Sequence, residues 1–283
     1  MKRSILIITV LLNVLISFSQ EKTQDLLKKF NTITNNDIGR LEILDKITKN
    51  LIKENSKEQQ KYLKGYIRLA QDLKEFDLAG KKSRFLIQFY IDNRKPDSAK
   101  YFIDKMLAIK KTFKSKSTEA HILLKRGGFF YNISQYEKAI SDYKKAGNLF
   151  LESQEDSIFA ADARYFTGQV YSDVNDFLNC VTAYEEAYKL YDALKDEDYK
   201  NYTLNELSNV YGKNGFYDKA LEEREKILSN TKSTEEYNSI SMAYGSVAKG
   251  HFQKKNYDTA KKYIDSTALY ICLLYTSPSP RDA

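Results

Sequence analysis

Five short stretches of the chain share one register, and that register constrains the fold more than any other feature. "NRKPDSAKYFIDKML" places Ala99, "NISQYEKAISDYKKA" places Ala139 and "DVNDFLNCVTAYEEA" places Cys180. "KNGFYDKALEEREKI" and "QKKNYDTAKKYIDST" then place Ala220 and Ala260, so the steps are 40, 41, 40 and 40 residues. A period of this size marks a solenoid, in which each unit buries its apolar face only against its neighbours. Gly is scarce and there are three prolines in 283 residues, which favours helices over a turn-rich β fold.

Each period holds two helical patterns. Around Ala139, Leu123, Gly127 and Phe130 fall on one face of a first helix. Tyr136, Ala139, Tyr143 and Ala146 fall on one face of a second, with "YNISQ" as the turn between. The next period puts Arg164, Gly168, Tyr171, Phe177, Cys180, Tyr184 and Ala187 in those places. Small residues let two helix backbones approach, and aromatic rings fill the space between turns. Cys180 reads as a small buried hydrophobe where the other units carry Ala.

The pattern G-x-x-[YF] followed by [YF]-x-x-A-x-x-x-[YF]-x-x-A resembles the tetratricopeptide repeat. The units around Ala139 and Cys180 match it apart from Arg164 and the Ala-to-Cys change. The unit around Ala220 keeps Leu204, Leu207, Tyr211, Gly215 and Tyr217 but departs at Ser208, Arg224 and Ile227. The unit around Ala260 keeps Tyr244, Tyr257 and Ala260, with Ala248, His251, Ile264 and Thr267 at other signature places. The unit around Ala99 is weaker, with Pro96 opening its second helix, where proline is tolerated. Upstream, "DIGRLEILDKITKNLI" and "KEQQKYLKGYIRLAQDL" form one more degenerate helix pair. The resemblance covers residues 36–271 and implies an all-α fold, a right-handed α-solenoid of stacked antiparallel helix pairs. The period exceeds the family's usual length of about 34. Polar stretches at the helix ends, such as "LSNTKSTEE", take up the excess.

The amino terminus, "MKRSILIITVLLNVLISFSQ", has a basic start at Lys2 and Arg3, an apolar run over Ile5 to Ile16, and small residues at Ser17 and Ser19. This is the pattern of a secretory signal peptide cleaved after Ser19. Its apolar run is shorter than the roughly 20 residues a membrane-spanning helix needs. The expected organisation is a leader over 1–19, a degenerate repeat region over 20–75, the array over 76–271 and a tail over 272–283. Two of the three prolines, Pro278 and Pro280, fall in that tail, "CLLYTSPSPRDA", which reads as non-native or disordered. On this reading the natural chain continues past it. An exported chain, periplasmic or secreted from a Gram-negative bacterium, is the expected localisation.

Losing Lys2 and Arg3 with the leader lowers the formal net charge from +7 to +5. Stretches such as "KKTFKSKS" carry much of the excess and read as solvated connections, so no nucleic-acid partner is expected. Neither cysteine, Cys180 nor Cys272, has a CxxC companion. The two histidines, His121 and His251, have no metal-ligand neighbours at working spacing. No nucleophile elbow, phosphate loop or dinucleotide fingerprint is present. Glu185, Glu186, Glu222 and Glu223 read as solvated helix faces. The chain is therefore expected to be non-catalytic, with no cofactor and no metal.

In arrays of the resembled family the first helix of each pair lines the concave side. Mapped unit by unit, the inward candidates are His121, Leu124, Gly128 and Tyr131, then Asp162, Tyr165, Gln169 and Ser172 with Asp173. Next come Tyr202, Asn205, Asn209 and Gly212 with Lys213, then Met242, Gly245, Lys249 and Phe252. A mixture of polar and aromatic groups suits an extended peptide or partner helix. The sequence therefore points to an exported scaffold binding a protein or peptide in its groove. The alternative is the periplasmic sensory region of a truncated membrane signalling protein, a histidine kinase or transcriptional regulator, reaching the membrane only through a missing C-terminal segment. That alternative rests on the likeness to long-period exported arrays of Bacteroidetes type.

Overall fold

The turns show the repeat as sharply as the helices do. A computed structural model describes residues 23–232 and 236–276, and every regular element among them is helical. The helix that precedes each reference residue ends with a positive-φ residue at Arg94, Ser134, Asn175, Gly215 or Lys255. Each stands five positions before Ala99, Ala139, Cys180, Ala220 or Ala260. In four of these turns the next amide reaches back to a carbonyl five residues earlier: Lys95 to Tyr90, Asp176 to Tyr171, Phe216 to Tyr211 and Asn256 to His251. This is the Schellman closure, which satisfies a carbonyl that the helix end would leave without a partner.

The chain divides into two units, residues 1–134 and 135–283. The first contains α1 (23–32), α2 (Ile38–Lys53), α3 (Gln59–Asp72), α4 (Phe76–Asp92), α5 (Pro96–Ala108) and α6 (Lys116–Asn132), with a 3-10 turn at Lys110–Thr112. One core runs through α3, α4, α5 and α6, with Leu63, Ile67, Leu86, Tyr90, Phe102, Ile103, Met106 and Ile122 at its centre. The degenerate pair read upstream is present as α2 and α3.

Strict two-helix order fails in this unit. The turn before α4 repeats the same motif, with Lys74 at positive φ and Ala79 buried, 20 residues ahead of Ala99. As a result α4 packs on α3, α5 and α6 alike. A Cβ placed on Gly80 of α4 would lie 2.3 Å from Thr118 Cγ2 of α6, so the glycine sets that close approach. Asp77 braces the same junction by accepting from the Lys114 and Ser115 amides and the Thr118 hydroxyl.

The second unit is regular: α7 (Tyr136–Ser153), α8 (Ser157–Asp173), α9 (Phe177–Ala193), α10 (Glu197–Lys213), α11 (Tyr217–Lys232), α12 (Tyr237–Gln253) and α13 (Tyr257–Thr276). Each helix packs on the next. Ala139, Ala146, Cys180, Ala187, Ala220 and Ala260 are buried as the pattern requires, together with Gly168 and, in the first unit, Gly127. Tyr143 and Tyr184 are buried with them, while Tyr136 and Phe177 are half-buried.

Two signature positions differ from expectation. The signature predicts packing roles for Tyr217 and Tyr257, yet both are exposed. Phe177, at the same register, is covered because Phe216 of the next unit stacks on it at 5.1 Å and 7°. Asn256 stands one repeat after Phe216 and supplies no such ring to cover Tyr217. Tyr257 instead meets Phe252 edge-on at 5.5 Å.

The leader over 1–19 and the last seven residues, 277–283, lie outside the described residues. Helix α13 runs on through Cys272 to Thr276. No described helix is long and apolar enough to cross a membrane.

Candidate functional site: the first-helix face of the second unit

Four candidates lie on α6 in the first unit, His121, Leu124, Gly128 and Tyr131; Gly128 is half-buried, and two of the others are corrected by the structure. His121 and Leu124 are buried. The guanidinium of Arg84 on α4 lies 3.0 and 3.1 Å from the two His121 ring nitrogens, so the imidazole is a packing group between two helices. Leu124 joins it inside because α4, and not solvent, covers this side of α6. Tyr131, near the end of the helix, stays half-buried.

The remaining candidates fall on α8, α10 and α12, and the period lines them up in rows one repeat apart. Asp162, Tyr202 and Met242 form the first row, and Tyr165, Asn205 and Gly245 the second. Gln169, Asn209 and Lys249 form the third. Tyr202 and Met242 are 55% and 68% exposed, large apolar groups held in water. Tyr165 supports Tyr202 at 5.6 Å and rests in turn on the buried Tyr184 at 5.4 Å. Asp162 accepts a 2.6 Å hydrogen bond from the Tyr191 hydroxyl. Burial first, and this carboxylate second, push the Tyr191 phenol well above its ordinary range.

In the third row, Gln169 and Asn209 are half-buried, and neither amide makes a hydrogen bond among the described residues. Lys249 beside them is exposed and forms no ion pair there. Asn205 is only weakly engaged, with Glu206 at 3.5 Å. Burial raises the Glu206 carboxyl above its usual pKa, against the Asn205 hydrogen bond. Side-chain amides with two donors and two acceptor sites, set between exposed rings and a cation, can receive a peptide backbone and an apolar side chain together. Lys213 stands apart, on a pocket of ≈ 110 Å³ with Ser172, Asn175 and Cys180.

Two substituted signature positions gain a physical reason that sequence reading missed. Arg164 pairs with Glu186 at 2.9 Å and donates to Asn148 at 2.6 Å, tying α8 to α9 and α7. Arg224 replaces an aromatic ring, and it is fully buried without a carboxylate partner among the described residues. Its guanidinium donates to Gln253 Oε1 at 2.7 Å. A Cβ on Gly250 or Gly212 would come within 3.2 or 3.6 Å of it. Both glycines lie in the last turns of their helices, whose carbonyl ends carry partial negative charge, so two helix termini stabilise the cation. No spacing in the sequence signals this, because Gly212 and Gly250 stand 38 residues apart, off the 40-residue register. His251 keeps the packing place read for it, stacked on Tyr263 at 5.3 Å.

Elsewhere, a concavity of ≈ 710 Å³ lies in the first unit among Gln88, Ile91, Pro96, Phe129 and Asn132. Its amide is already engaged, since Gln88 donates to Asp92 and accepts from Lys125. No group of three metal-ligating side chains occurs among the described residues.

The comparisons agree with this geometry. No family model and no curated protein matches the sequence. Solved structures do match, and they define the chain as a tetratricopeptide-like helical-repeat fold. BtubC (BKLC) from P. vanneervenii is similar with a TM-score of 0.66 and 14% identity, over 80% of this chain and 95% of that one. A putative kinesin light chain from Podosopora anserina, with nearly identical TPR-like repeats, matches at TM-score 0.57 and 14% identity, over 69% and 95%. MamA matches at TM-score 0.52 and 20% identity, over 71% and 97%.

Proposed function

We propose that the chain is a non-catalytic binding scaffold that takes an extended peptide or partner segment across α8, α10 and α12 of its second unit. The single observation that carries this reading is the third row. Half-buried Gln169 and Asn209, with hydrogen-bonding capacity unused inside the protein, stand beside Lys249 and below the exposed Tyr202 and Met242. The amides would hold the backbone of the bound segment, and an apolar side chain would lodge against Tyr202 and Met242. The leader-like first 19 residues favour an exported chain, so the partner is sought among periplasmic or extracellular proteins.

Tyr165 is a poor target for a test because it packs on Tyr184. Tyr202→Ala with Asn209→Ala removes an exposed ring and an unpaired amide. Peptides selected from a random library on the intact chain should lose at least about tenfold in affinity for this variant, or roughly 1.4 kcal/mol. The melting temperature should stay the same. Unchanged affinity for every selected peptide would refute the reading.

A further inference from the structure

The fourth residue after the reference is a tyrosine on α7 and α9, Tyr143 and Tyr184, but on α11 it is Arg224. All three are buried, Arg224 to 1% exposure. A phenol brings no charge into that place, whereas a guanidinium does. Glu222 and Glu223, its acidic neighbours on α11, pair with Lys226 instead. Among the described residues Arg224 donates only to the neutral side-chain amide of Gln253. The two helix ends beside it carry partial charges, which offset part of the cost of burying a whole one. Burial pulls the Arg224 pKa down, and no carboxylate opposes that. The donors around Arg224 converge from two first helices. Gln253 lies across Gly212 of α10, where a Cβ would come 3.4 Å from the Gln253 Nε2 and 3.6 Å from the guanidinium. That Nε2 makes no hydrogen bond among the described residues. Lys249 stands one turn before Gln253 on the same side of α12, and Asn209 one turn before Gly212 on α10. Two cations and two amides thus meet between α10 and α12 with donors to spare.

We propose that this cluster is a subsite for an acidic side chain, an Asp or Glu of the segment bound across α8, α10 and α12; it rests on the binding reading of that face. The incoming carboxylate displaces the Gln253 oxygen from Arg224. The freed Gln253 amide then turns its N–H groups to the same anion. Lys249 and Asn209 hold it from the open side. Hydrogen bonds between ions are stronger than the neutral one they replace, and the guanidinium gains the counter-charge that it lacks. Gly212 matters because a side chain there would fill the space beside Gln253 through which the anion enters. A side chain fits this place better than a chain terminus. Its carboxylate sits on a flexible stem that reaches a buried group while the backbone stays on the amides of Gln169 and Asn209.

Titration calorimetry with peptides selected from a random library on the full chain tests this. Each peptide is compared with a form whose acidic residue is changed to the matching amide, and with a form whose C-terminus is amidated. The side-chain amide form should bind at least about tenfold more weakly, as expected for lost hydrogen bonds between ions. The C-terminal amide should bind as before. Arg224→Met should bind both side-chain forms equally, and its melting temperature should not fall, because an apolar group replaces a buried charge. Lys249→Met, altered at an exposed position, should lose part of the preference. Peptides that lack an acidic residue or ignore its neutralisation would overturn the subsite, as would a loss on C-terminal amidation instead. A preference kept in full by Arg224→Met or Lys249→Met would overturn it too. In each of these cases a loss of affinity in Tyr202→Ala leaves the groove reading standing. Peptides indifferent to Tyr202→Ala would overturn that reading and the subsite with it.

Discussion

At the scale of single residues, two helix-interior glycines, Gly168 on α8 and Gly245 on α12, should respond in opposite directions. A Cβ on Gly168 would fall 2.7 Å from the Tyr184 ring, which is fully buried and cannot yield. Overpacking of this kind costs about 1–3 kcal/mol, more than the roughly 1 kcal/mol of helix propensity that Gly→Ala gains. On Gly245 the added carbon meets only Thr267, at 3.7 Å, an ordinary contact. Gly168→Ala should therefore lower the urea midpoint, and Gly245→Ala should raise it. A second residue-scale case is the Lys82–Asp45 pair in the first unit, at 2.5 Å, with Lys82 buried under Tyr66. Burial opposes ionisation of Asp45, but hydrogen bonds and charge from Lys49 and Lys82 outweigh it and hold the carboxyl below its ordinary value. A depressed carboxylate adds stability above the unfolded pKa, and that stability is lost as pH falls through the folded pKa. Asp45→Asn should cost about 1–3 kcal/mol at neutral pH, because it removes the carboxylate from buried Lys82 and leaves that ammonium the Thr48 hydroxyl at 3.0 Å. The gap to wild type should narrow on acidification below the usual carboxylate range, as read from denaturant titrations at successive pH values.

At the scale of elements, the turns separate backbone strain from packing. Gly215 has φ +80° and nothing within 4 Å of where its Cβ would stand. Gly215→Ala should therefore cost about 1 kcal/mol from the left-handed backbone alone. Lys255, at the equivalent turn one repeat later with φ 63°, should gain a comparable amount on replacement by Gly. Thermal denaturation of the two variants reads both signs. The 40-residue period, the two helices per unit and the buried Ala and Cys positions were all legible in sequence, because small and aromatic residues recur at fixed spacing. What the sequence did not disclose follows from contacts between elements. His121 sits on a face that would be open in a strict array, and only the packing of α4 on α6 closes it. Arg224 looked like a lapse of the pattern because its compensation comes from two helix ends that are distant in sequence. Tyr217 and Tyr257 matched the signature, but their exposure depends on whether the next unit supplies a ring. The rows on α8, α10 and α12 were legible as positions, whereas the unpaired state of Gln169 and Asn209 emerged only from the hydrogen bonds.

At the scale of the whole molecule, each unit has a continuous core of its own, over α3 to α6 in the first and over α9 to α12 in the second. The cysteines make the second unit's integrity measurable. Cys180 is fully buried and burial pushes its thiol up to about 11, whereas Cys272 on α13 is exposed. A thiol reagent at neutral pH should label Cys272 rapidly and Cys180 only through opening of the second unit. The labelling rate of Cys180 should slow when a bound peptide stabilises that unit. Binding on the first helices of the second unit is read by hydrogen–deuterium exchange of the chain with and without a saturating selected peptide. New protection should appear in α8, α10 and α12 near Gln169, Asn209 and Lys249, centred on those helices and weaker in α9 and α11. Protection confined to the first unit, or to α9 and α11, would contradict it.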